Sequence, residues 1–94
     1  MNFVKENRVG YFEVNNFIIE NHPREVLLLM AKVIVVSAVE SGVTPTVEYF
    51  AYCEDFDPVS EGGAIPAYRP IFEQVYNRDM SAYTFSVQGF ERID

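Results

Sequence analysis

Four consecutive β-branched residues, Val33-Ile34-Val35-Val36, leave this chain little freedom in its local structure. Such side chains lose rotamers in a helix and pack well on a pleated surface. Shortly after them, Ser41-Gly42 and Thr44-Pro45 supply turn chemistry, because Gly tolerates positive φ and Pro donates nothing to a ladder. Beyond the turn, Val47, Tyr49, Ala51 and Cys53 fall on one side of an extended segment, with Glu48, Phe50 and Tyr52 on the other. Val33 to Cys53 is therefore expected to form a hairpin with apolar bulk on both faces. A competing reading runs one helix from Pro23 to Ser41, with Gly42 just past its end. The unbroken Val-Ile-Val-Val run favours the strand.

The flanking segments are read from this hairpin. Residues 1–22 fit neither a strand nor a helix period cleanly, although Asn15 suits the N-cap of a short helix over Asn16 to Glu20. Pro23 suits a first helical position, with Glu25 in the first turn. The helix is expected to end near Ala31 or Lys32. Val26, Leu27, Leu28, Leu29 and Met30 make it apolar all round, which predicts burial. Glu54 to Pro70 is broken by Asp57-Pro58, Gly62-Gly63, Pro66 and Pro70, so it is expected to be loop. Pro70 to Tyr76 and Ala82 to Gln88 form a second hairpin around Asn77-Arg78-Asp79. In its last strand Tyr83, Phe85 and Val87 face one way, with Thr84, Ser86 and Gln88 facing the other. The expected fold is α+β: one domain over 1–94, with an N-terminal helical segment packed on a four-stranded antiparallel sheet of two hairpins. The first hairpin and the helix then hold more apolar surface than one copy buries, which predicts a homodimer.

Charge narrows the partners. The net charge is −7. No Lys or Arg lies between Lys32 and Arg69, while Glu40, Glu48, Glu54, Asp55, Asp57 and Glu61 all do. Such a field repels phosphate backbones, so no direct nucleic-acid binding is expected, and it attracts a basic protein surface. The richest apolar run, Val26 to Val39, is shorter than the ~20 residues of a membrane span and contains Lys32. With a single cysteine, no internal disulfide is possible, and a cytoplasmic setting is expected.

Catalytic and metal chemistry finds little footing. His22 has no second ligand at metal spacing. Cys53 would need His22 beside it to act as a nucleophile, and a buried apolar role suits it better. Asp55, Asp57, Ser60 and Glu61 fail calcium-loop spacing, since Val59 stands where an oxygen ligand should follow Asp57. No cofactor, no metal and no enzymatic activity are expected. Tyr52, Phe56 and Tyr68 flank the acidic loop and would serve as apolar anchors, with Glu54, Asp55, Asp57 and Glu61 as its charge. Arg69 and Arg78 support an alternative, a small-ligand (nucleotide-type) binding or sequestering homo-oligomer. Glu48 and Glu73 interrupt apolar strand faces; if buried, each would need a partner such as Arg69 or Arg78.

The segment VEYFAYCEDFDPVSEGGAIPAY, Val47 to Tyr68, is similar to one in small uncharacterised bacteriophage and prophage proteins. There an E-Y-x-A strand precedes an F-x-x-V-x-E-G loop ending in P-x-Y, matched here by Glu48, Tyr49, Ala51, Phe56, Val59, Glu61, Gly62, Pro66 and Tyr68. The likeness covers under a quarter of the chain and implies a viral accessory protein, without catalytic residues. The expected function is thus a non-enzymatic acidic protein that binds a host protein with a basic surface, as an inhibitor or nucleic-acid mimic.

Overall fold

The alternation Val9-Gly10-Tyr11-Phe12-Glu13-Val14 makes residues Val9–Asn15 the central strand of the sheet, β1, with every second residue buried from Gly10 on. The computed structural model describes residues 7–94, the side chain of Phe85 excepted. The orientation expected for Phe85 therefore lies outside the described residues. After β1 come α1 (Asn16–Asn21), α2 (Pro23–Met30), β2 (Ile34–Glu40), β3 (Thr46–Tyr52), β4 (Ala67–Asn77) and β5 (Ala82–Arg92). The strand order is β2-β3-β1-β4-β5. All neighbours are antiparallel except β1 and β4, which run parallel through Tyr11↔Ala67 and Phe12↔Tyr68.

The α+β class and both hairpins agree with the sequence reading. The four-stranded antiparallel sheet does not: among the described residues the sheet has five strands and is mixed, because part of the supposed helical N-terminus inserts between the two hairpins. That insertion separates β3 from β4 and turns their connection, residues 53–66, into a crossover. The Asn15 carboxamide oxygen accepts from the Phe17 N–H at 2.7 Å, which caps α1 as expected. Pro23 occupies the first turn of α2. Ser41 Oγ accepts from the N–H groups of Val43 and Thr44, each at 3.2 Å, and closes the β2–β3 turn.

The core lies on one face of the sheet. Phe12 and Val14 of β1, Ala51 of β3 and Tyr68 of β4 pack under Val26 and Leu29 of α2, with Cys53 and Phe56 of the crossover beside them. Val26 and Leu29 of α2 are buried and Met30 is partly so. Leu27 and Leu28 are 71% and 54% exposed, so the helix is not buried all round as its composition suggested. Every residue of β2 is exposed. No helix among the described residues is long and apolar enough to cross a membrane.

Candidate functional site

The acidic crossover is pinned from several sides. The Phe56 ring stacks on Tyr68 with centroids 4.1 Å apart and planes 11° from parallel. The Asp57 N–H donates to Tyr68 Oη at 2.7 Å, and Arg8 Nη1 donates to the Phe56 carbonyl at 2.8 Å. Arg92 joins Asp57, at 2.9 Å, to Asp94, at 3.0 Å. The Ala67 N–H, and then Arg92, hold the Asp94 carboxyl below the usual carboxylate range.

These contacts sort the residues expected at a partner site. Phe56 and Tyr68 are core, fully or almost fully buried, so neither presents a ring to a partner. Asp57 is exposed but held by Arg92. Glu61 is exposed in the turn that carries Gly62, apart from the rest. Tyr52, Glu54 and Asp55 do come together, lining an open cavity of about 410 Å³ with Lys32 and Ile34.

The arginines of the small-ligand alternative do not converge within one chain. Arg69 stands near the start of β4 and is ion-paired with Glu91, whereas Arg78 follows the end of the strand. Nine residue steps, nearly all along β4, separate them by roughly 30 Å. Glu48 and Glu73 are exposed, so neither needs the buried arginine partner considered above. Glu73 accepts instead from Gln88 Nε2 at 2.9 Å.

Cys53 is buried, and burial pushes its thiol up. Since the thiolate is the reactive form, Cys53 is expected to react with an aromatic disulfide reagent at least ~100-fold more slowly in the native protein than in denaturant. A pH series of labelling rates checks this. Equal rates would mean that the thiol is open to solvent.

The sheet face opposite the core carries a constellation the sequence reading missed. On β1 and β3, Tyr11 is in register with Phe50 and Glu13 with Glu48, so the four side chains form two adjacent rows. The Tyr11 and Phe50 rings lie 5.0 Å apart. Directly opposed positions hold their Cβ atoms about 4.5–5.5 Å apart, and like charges placed there destabilise the pair. Among the described residues, no cation is ion-paired with Glu13 or Glu48. Both line an open cavity of about 360 Å³ with Tyr11 and Arg69, and Arg69 is engaged by Glu91. Alternation over Val9 to Val14 was the signal that would have placed Tyr11 and Glu13 here.

Such a surface can lay two carboxylates and two aromatic rings against a guanidinium or ammonium group. Protein-family models, curated proteins and solved structures contain no match to this chain.

Proposed function

We propose that the chain is a non-enzymatic accessory protein that binds a basic protein surface through the open face of its sheet. The observation that carries this reading is the register of Glu13 against Glu48 beside Tyr11 and Phe50. Two opposed carboxylates cost the free protein stability, and a partner's Lys or Arg laid between them removes that cost. Glu54 and Asp55, exposed beside Tyr52, extend the negative field toward the end of β3. The resemblance of Val47 to Tyr68 to phage and prophage proteins favours a viral role in a host cytoplasm. There the carboxylates would occupy the place of phosphates on a nucleic-acid-binding or defence protein.

The test uses a fluorescent nona-arginine peptide as probe, at low salt. Glu48→Lys is expected to weaken binding at least ~10-fold, equivalent to about 1.4 kcal/mol. The same change should leave the melting temperature equal or higher, because an opposed like-charge pair becomes an opposite-charge pair worth about 0.2–1 kcal/mol. Asp79→Lys alters the net charge equally, but at the tip of the β4–β5 hairpin, and should weaken binding far less. Equal losses from both variants would reduce the effect to bulk charge and remove the site.

A further inference from the structure

Among the described residues the sheet has two outer edges, β2 and β5, and they differ. The β5 edge carries Thr84, Ser86, Gln88, Glu91 and Arg92, and its pairing with β4 is interrupted beside Gly89, where φ is +130°. Polar side chains and a break in the ladder are ordinary protections against strand addition, and β2 shares the break but not the polar side chains. The β2 edge has no such charge within Val33 to Val39, and no proline. Ile34, Val35, Val36 and Val39 are each between 41% and 59% exposed, on both faces of the sheet. An extra residue at Val36 shifts the register against β3 but brings no charge to the outer side. A strand so placed offers a row of backbone donors and acceptors flanked by apolar side chains.

We propose that β2 pairs antiparallel with β2 of a second copy, making one continuous sheet across a two-fold axis. The ends of the strand select this occupant. Lys32 precedes β2 and Glu40 closes it, and both are exposed; Glu54 and Asp55, which follow β3, line the same cavity as Lys32 one strand further from the edge. Antiparallel pairing sets the Lys32 end of each copy against the Glu40 end of the other, so the two-fold makes the attraction twice. A parallel arrangement would set Glu40 beside Glu40 and Lys32 beside Lys32. A foreign strand would have to reproduce a cation at one end, an anion at the other and apolar residues between them. The second copy has all three by symmetry. The edge lies beyond β3, so this pairing leaves Glu13, Glu48 and the open face of β1 uncovered.

Sedimentation equilibrium across a wide concentration range tests the proposal on the full chain. The wild type is expected at twice the chain mass. Val39→Lys puts a charge into the edge and should give a monomer with an unchanged far-ultraviolet circular dichroism spectrum. Lys32→Glu and Glu40→Lys should each raise the dimer dissociation constant about tenfold or more, and Lys32→Glu/Glu40→Lys together should restore it to within about threefold. These two sites are exposed strand ends, so they decide the matter even if Val39→Lys fails to fold. A monomeric wild type at the highest concentration would overturn the proposal. So would a double exchange that dimerises no better than the single variants, or a folded Val39→Lys variant that stays dimeric.

Discussion

Replacing Phe56 by alanine is expected to cost about 3–5 kcal/mol of stability, the range for a large aromatic removed from a closed core. The ring is 0% exposed. It stacks on Tyr68 and meets Phe90 in a T-shaped contact, with centroids 5.0 Å apart and planes at 79°. Removing it leaves those two rings facing a void, which the surrounding backbone fills only in part. Against a total of about 5–15 kcal/mol for a domain, the loss is large. For a chain of this size it corresponds to a fall in melting temperature on the order of 15–30 °C. The variant should also loosen the crossover, because the hydroxyl that receives the Asp57 N–H sits on the ring stacked against Phe56. Urea unfolding followed by circular dichroism measures the loss. A variant within about 1 kcal/mol of wild type would mean that Phe56 is a surface residue after all, free to serve a partner.

The limits of sequence reading follow from where its signals overlap. β2 was legible because four β-branched residues in a row have one good home. β5 was legible because polar and apolar residues alternate without interruption. β1 was hidden because its period of two runs directly into the apolar residues of α1, Phe17, Ile18 and Ile19, so one window mixed two periods. Missing β1 had consequences at the site, since Glu48 without its neighbour is a lone carboxylate rather than half of an opposed pair. The charge of the acidic crossover was readable, but the assignment of its aromatics was not. Phe56 and Tyr52 have similar sequence surroundings, and only the return of β4 beside β1 sets Tyr68 over Phe56. Leu27 and Leu28 show the opposite failure. Composition alone called for burial of the whole helix, while a single layer over the sheet buries the stripe of Val26 and Leu29 and part of Met30.

Gly10→Ala should destabilise the fold by about 1–3 kcal/mol, against the usual preference of strands for Ala over Gly. A Cβ built at Gly10 lies 2.6 Å from two ring carbons of Tyr68 and 3.1 Å from Phe56 Cδ2. No strain in φ is involved; the exclusion is steric. The flexible end of a side chain could yield, but Tyr68 is held on one side by the Phe56 stack and at its hydroxyl by the Asp57 N–H. The extra methyl must therefore push the β1 backbone away from β4, and the strands share only two register pairs there. Combining the two substitutions exposes the mechanism. In Phe56→Ala the Tyr68 ring gains room to slide off Gly10, so adding Gly10→Ala should cost less than it does in the wild type, with a coupling of about 0.5–3 kcal/mol. Strict additivity in that double-mutant cycle would show that Gly10, Tyr68 and Phe56 do not act as one packed unit. The crossover would then owe its position to its hydrogen bonds, among them those made by Arg8, Arg92 and the Asn7 carbonyl.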